Sequence, residues 1–208
     1  MYFDIDITSK QEFKSWPHTP TYQAVKLIRP NSKVLDVGCS KGYMAKELNK
    51  KGCKVTGVEI DKNAARAAKN YCVDVINADI EKQDELPCPE NSFDYILCLD
   101  VLEHLMRPDV ILNKLKRYLS PNGEIIISIP NIARFEHRLK LLSGIFDYSE
   151  CGALSKGHLR FFTYKTAKVL IESSGYKIKA VKSTGLGFII KIFPGLFAFQ
   201  FLIIAKKA

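Results

Sequence analysis

The chain has no Cys-x-x-Cys pair. Its six cysteines, Cys39, Cys53, Cys72, Cys88, Cys98 and Cys151, stand singly. That excludes the usual zinc-ribbon and redox-dithiol spacings and predicts free thiols in a reducing compartment. A signal-peptide pattern is also missing, since Asp4 and Asp6 lie among the first apolar residues, so a cytoplasmic location is expected. No apolar run is clean enough for a membrane span. The best candidate, Leu186 to Ala205, is interrupted by Lys191, Pro194-Gly195 and Gln200, and it is expected to belong to the fold. Acid is scarce relative to base: 22 Asp and Glu against 31 Lys and Arg leave a net charge of +9. The lysines form no block, so a solvated basic surface is the expectation, with peripheral contact to an acidic membrane surface compatible with it. Two nucleotide fingerprints fail as well. Counted from Gly38, a Gly-x-Gly-x-x-Gly pattern would need glycine at Ser40 and Tyr43, and no Gly-Lys-Ser/Thr follows the turn.

What is present is an alternation of strands and helices. Lys33-Val-Leu-Asp-Val-Gly-Cys-Ser-Lys-Gly42 reads as a short strand ending in Asp36, a glycine turn, and the start of a helix. The pattern continues as strand 54–59, helix 62–70, strand 73–77, strand 93–99, helix 109–119, a Pro121-Asn122-Gly123 turn and strand 124–129. Thr163 caps a helix that stops at Gly175, and the runs 176–184 and 197–205 read as further strands. Regular alternation predicts a parallel sheet with helices on both faces. With 208 residues and 47% hydrophobic content the chain is expected to form a single domain over 1–208. Residues 1–32 would be an N-terminal cap, and 130–162 a substrate-side insertion.

Carboxylates recur at the ends of the early strands: Asp36, Glu59, Asp79 and Asp100. In a parallel sheet those ends share one edge, where ligands bind. Four carboxylates there would repel a pyrophosphate. They suit a ligand with an amine, ribose hydroxyls and a sulfonium cation, which S-adenosylmethionine (SAM) combines. Asp36 would accept from the methionine amine, Glu59 from both ribose hydroxyls, and Asp79 from the adenine amino group with Ile80 packed nearby. Gly38 and Gly42 would let the ligand approach the backbone, and Leu99 would lie beside the methionine portion.

On these residues the chain resembles the class I SAM-dependent methyltransferases of the small-molecule type, which include quinone-biosynthesis methyltransferases. The carriers are Val34–Gly42, Gly57-Val-Glu-Ile-Asp61, Asn77-Ala-Asp79, Phe93–His104 and His158-Leu-Arg-Phe-Phe-Thr163. Ser40 stands where that family usually has glycine. The resemblance implies an α/β, Rossmann-like seven-stranded sheet, mostly parallel with an antiparallel last strand, SAM as cofactor, and methyl transfer to a small-molecule acceptor at oxygen.

It also implies His158 as the catalytic base, since the family motif places it near the acceptor pocket, and histidine suits proton removal near neutral pH. Within the insertion Asn131, Arg134, Tyr148 and Arg160 are the expected substrate-binding residues. Related quinone methyltransferases can hold a divalent metal on the Asp100-Val-Leu-Glu-His104 motif. By residue type Asp100, Glu103 and His104 could form such a site here; the expectation is that Glu103 and His104 hold the loop by local hydrogen bonds, with no metal. Two alternatives stay open. Nucleic-acid methylation is suggested by charge, but Leu99-Asp100-Val101-Leu102 stands where a clamp for base amines would be. SAM binding without turnover is suggested by Ser40.

Overall fold

The computed structural model describes residues 19–185 and 192–208. Among them one seven-stranded sheet runs in the order β3-β2-β1-β4-β5-β7-β6. The strands are β1 (Lys33–Val37), β2 (Lys54–Glu59), β3 (Asp74–Asn77), β4 (Phe93–Leu99), β5 (Leu119–Pro130), β6 (Tyr176–Thr184) and β7 (Gln200–Lys207). Pairs from β3 through β5 are parallel. β7 lies antiparallel between β5 and β6. The helices are α1 (Pro20–Leu27), α2 (Tyr43–Asn49), α3 (Lys62–Ala68), α4 (Pro108–Tyr118), α5 (Phe135–Leu142), α6 (Tyr164–Ser173) and α7 (Pro194–Phe197), with a 3₁₀ turn at Leu102–His104.

The period of two along each strand builds two cores. Val34, Val55, Leu97, Ile126 and Leu202 pack with Ala24 and Ile28 of α1 and Met44, Ala45 and Leu48 of α2. Their neighbours Leu35, Val58, Ile96, Ile127 and Ile203 face the other way, onto Ile111, Leu112 and Leu115 of α4 and Ala167 and Ile171 of α6. Burial on both faces explains why β7 is apolar almost without interruption. From Gln200 onward the C-terminal run is therefore sheet, and no described helix is long and apolar enough to cross a membrane.

Two strand starts depart from expectation by three residues or more. The Pro121-Asn122-Gly123 segment is no separate turn. β5 starts at Leu119, and its pairing with β4 slips between Phe93 and Tyr95, so the three residues form an irregularity within the strand. The last strand starts at Gln200, because Pro194–Phe197 takes a helical turn first. The expected cap on α6 is present: Thr163 and Thr166 exchange backbone and side-chain hydrogen bonds as a capping box. Most of the N-terminal cap, 1–18, lies outside the described residues, as does 186–191.

Candidate functional site

The C-terminal ends of β1, β2 and β4 form the edge that the strand-end carboxylates predicted. Asp36 is buried, and its Oδ2 has no hydrogen-bond partner. Burial, reinforced by the charge of Glu59, pushes its pKa up to about 7. An orphaned carboxylate oxygen at a ligand edge fits an incoming ammonium group. Glu59 is engaged from the protein side: Ser40 N donates to Oε2 at 2.8 Å and Asp61 N to Oε1 at 2.9 Å. Each oxygen keeps a second lone pair for a hydroxyl. Ser40 itself adopts the left-handed region (φ 47°).

The two glycines have a protein-side reason beyond close approach. Gly38 has φ 71°, and a Cβ there would sit 2.9 Å from Val101 Cγ2. Gly42 has φ 82°, and its Cβ would meet Ala68 Cα at 3.1 Å. Asp79 Oδ1 accepts from Glu81 N at 3.0 Å and Oδ2 pairs with Lys82 at 3.3 Å, so this carboxylate also caps its turn. Ile80 is buried in the core beneath it, and Leu99 closes β4 half-buried. Asn77, named in the sequence only as part of the Asn77-Ala-Asp79 motif, braces the edge. Its amide donates to the carbonyls of Glu59 (2.8 Å) and Ile60 (3.1 Å), tying β3 to the end of β2.

Beyond β4 the structure joins two distant motifs. Leu159 N and Arg160 N both donate to the Glu103 carbonyl, at 2.8 and 3.0 Å. His104 Nδ1 bonds Gly157 O at 2.9 Å, and the His104 and His158 rings meet edge-on with centroids 4.8 Å apart. His158 Nδ1 lies 3.2 Å from Ala153 O. A carbonyl only accepts, so Nδ1 carries the proton and Nε2 keeps its lone pair. Partial burial lowers the His158 pKa, which favours that neutral form. The Glu103 side chain is 1% exposed and neither oxygen has a partner. Burial, and secondarily the nearby Asp100, raises its pKa well above the usual carboxylate range.

Asp100 is drawn away from this cluster. It has φ 55°, receives a hydrogen bond from Ser128 Oγ at 2.5 Å and one from Gln200 Nε2 at 2.9 Å, and donates its own N–H to Ser128 Oγ at 2.8 Å. The expected loop-holding bonds are made by the His104 ring and by the Glu103 backbone carbonyl, while the Glu103 carboxylate makes none. The metal-capable group among the described residues is instead Glu103, His104 and His158, whose ligand atoms lie within 4.8 Å of one another. One orphaned carboxylate and two imidazoles form a donor set suited to a divalent cation.

A cavity of about 550 Å³ opens at this point, lined by Asp100, Glu103, Arg134, His137, His158 and Phe199 among others. Of the four expected substrate residues only Arg134 reaches it. The Arg134 guanidinium stacks 3.4 Å from the Phe199 ring centroid and pairs with Glu136 at 2.7 Å, while its Nε is buried without a partner. Asn131 is fully buried and its amide is engaged internally, with Gly195 O, Ala198 O and Ala133 N. Arg160 donates to Met106 O at 2.5 Å and braces the loop. Tyr148 is exposed and packs against Phe146 and Phe161. Phe199 and Gln200 were missed. They arrive at the start of β7, and no local pattern marks them.

A methyltransferase-domain family model matches residues 10–181. The chain belongs to the methyltransferase-domain family. Membership implies SAM as the cofactor, and the orphaned Asp36 oxygen and the doubly anchored Glu59 fit it. A ubiquinone biosynthesis O-methyltransferase of Alkalilimnicola ehrlichii is 31% identical over 103 residues, 48% of this chain and 42% of that one. Its counterpart in Actinobacillus pleuropneumoniae serotype 7 is 26% identical over 155 residues, 62% of this chain and 66% of that one. The chain thus spans between two-fifths and two-thirds of the length of these two relatives. Among solved structures, a protein of Pyrococcus horikoshii OT3 superposes with a TM-score of 0.70 at 20% identity, covering 98% of this chain and 94% of that one. At that identity the likeness speaks for the methyltransferase fold alone.

Proposed function

We propose that this methyltransferase transfers the methyl group of SAM to an oxygen of a small-molecule acceptor, with His158 as general base. The observation that carries the reading is the state of His158: its Nδ1–H is held by Ala153 O and its lowered pKa keeps it neutral, on the wall of the cavity. Bound SAM supplies an electrophilic methyl group, so alignment and proton removal are what remains for the protein. Asp36 and Glu59 hold the amine and the ribose. Ile60, 66% exposed beside Glu59, offers an apolar face for the adenine. His158 Nε2 would take the acceptor's hydroxyl proton as the oxygen bonds the methyl carbon and the carbon–sulfur bond of SAM breaks, with S-adenosylhomocysteine as the leaving group. The O-methyltransferase relatives support oxygen as the acceptor atom. The test is turnover on a panel of phenols, catechols and hydroxylated metabolites, with His158→Ala beside wild type. Methylation at full rate by the variant would return His158 to a structural role.

The orphaned Glu103 carboxylate favours a second reading of the same site, in which Glu103, His104 and His158 hold a divalent cation beside the acceptor oxygen. Chelation separates the two. Turnover that EDTA abolishes and Mg²⁺ or Mn²⁺ restores selects the cation, and EDTA-resistant turnover selects the free base.

A further inference from the structure

Gly57 lies inside β2, and its backbone does not call for glycine, since its φ is not positive. The space beside it does. A Cβ there would sit 2.5 Å from Cys39 Sγ, 3.2 Å from Cys39 Cβ and 3.4 Å from Cys72 Sγ. Two sulfurs thus occupy the volume that a side chain at 57 would take. An interior strand glycine often marks a close approach of this kind. Both thiols are free.

The two thiols belong to different elements and differ in access. Cys39 is 4% exposed and sits in the glycine turn, between Gly38 and Ser40, with its N–H on Val58 O at 3.1 Å. Cys72 is half-buried in the connection from α3 to β3, with its N–H on Ala68 O at 2.9 Å. The Cys39 pKa is raised far above the usual thiol range, first by the Cys72 thiol, then by burial, with the charges of Asp36 and Glu59 adding to both. The pair therefore stands directly behind the carboxylates of the cofactor edge. Ser40, the residue after Cys39, donates to Glu59.

We propose that Cys39 and Cys72 form an oxidant-sensitive dithiol, and that its closure to a disulfide weakens SAM binding. The oxidant is a peroxide. Cys72, the more accessible thiol, attacks as the thiolate and breaks the O–O bond, which gives a sulfenic acid and a hydroxide that leaves as water with the thiol's proton. The Cys39 sulfur then bonds the Cys72 sulfur and displaces its hydroxyl, which takes the Cys39 proton and leaves as a second water. Two electrons pass from the sulfurs to one peroxide. A dithiol reductant reverses the step by exchange. A disulfide holds its sulfurs about 2 Å apart, closer than any non-bonded pair. Closure therefore draws Cys39 toward Cys72, and with it the turn that places Ser40 N on Glu59. The affinity part rests on SAM lying at this edge. The disulfide part does not.

Hydrogen peroxide treatment of the folded full chain tests it, with remaining thiols blocked before tryptic digestion without reductant. Mass spectrometry should find peptides 34–41 and 70–82, which hold Cys39 and Cys72, joined to each other, and dithiothreitol should release them. Calorimetry should show SAM held at least about tenfold more weakly by the oxidised protein, the order of one lost hydrogen bond to a charged group. Reduction should restore the affinity. Cys72→Ser should bind SAM like wild type before peroxide and keep that affinity after it, with a thermal melt to show that it folds. Cys72→Ala serves where the serine variant does not fold. Absence of the joined pair from oxidised wild type overturns the proposal. So does unchanged SAM affinity in fully joined protein. An equal loss of affinity in the Cys72 variant also overturns it, by assigning the effect to another thiol. Joined peptides from a chain that binds no SAM even when reduced would sink the cofactor reading and leave the dithiol standing.

Discussion

Around the cofactor edge, groups are placed by near neighbours in the chain. Asp61 N reaches Glu59 across two positions and Ser40 N across 19. On the acceptor side the separations grow. Ser128 and Asp100 are 28 apart, His104 and Gly157 are 53 apart, and Gln200 and Asp100 are 100 apart. The two sides also differ in burial. Asp36 sits at the end of a central strand inside the fold, whereas α5 over the cavity has no fully buried residue. The difference separates a strand-end edge held by nearer neighbours from a cavity side assembled by long-range contacts. It teaches that damage on one side should leave the other nearly unchanged.

The largest expected effect tests that separation directly. His158→Ala should reduce turnover about a hundred- to ten-thousandfold, while SAM affinity stays within twofold or so of wild type. A comparable loss in both quantities would merge the two sides into one unit. Rescue of part of the rate by added imidazole would sharpen the base assignment.

The cofactor side should answer to pH through Asp36. Its pKa in the fold is about 7, against an ordinary value of 3.8. Between these values the unfolded chain has lost the proton and the folded chain keeps it, so stability falls as pH rises from about 4 to 7 and then levels off. The size is a few kcal/mol. Thermal melts at stepped pH should therefore show Asp36→Asn gaining on wild type across that window. An Asp36 that accepts from the SAM amine, as proposed, binds it as the carboxylate, so wild-type affinity should fall below pH 7 by up to about tenfold per unit. Parallel pH profiles for the two proteins would remove Asp36 from the amine site.

Glu59→Ala should weaken SAM binding about ten- to hundredfold, from the loss of charge-assisted hydrogen bonds worth roughly 1.5–3 kcal/mol. It also leaves Ser40 N and Asp61 N without their acceptor. Calorimetry is the measurement, and wild-type affinity in a folded variant would falsify the ribose role. The smallest effect belongs to neither side. Thr163→Ala removes one half of the capping box on α6 and should cost about 1 kcal/mol of stability in urea unfolding, with SAM affinity unchanged.

Much of this was legible in the amino-acid order because it is local. The Val34–Gly42 turn, the strand-end acids and the Thr163 cap each rest on residues within a few positions of one another. The apolar run of β7 announced a strand buried on both faces, since only burial on both sides tolerates such a run. The substrate residues were read less well. Asn131 and Arg160 carry the right chemical groups, but whether a side chain faces a cavity or a neighbouring carbonyl depends on elements far away in the chain.

The sequence by itself determined the alternation of elements, the positions of the strand-end carboxylates and the membership that brings SAM with it. Period and spacing encode these, and neighbouring residues enforce them. Only the tertiary structure decided that Asp100 turns to Ser128 and Gln200, that Glu103 is left buried without a partner, and that His158 meets His104 at the cavity wall. It also decided that α5 stands uncovered. Its Phe135 and leucines would look the same in a buried helix. Exposure is set by what packs on them, and their own spacing carries no record of that.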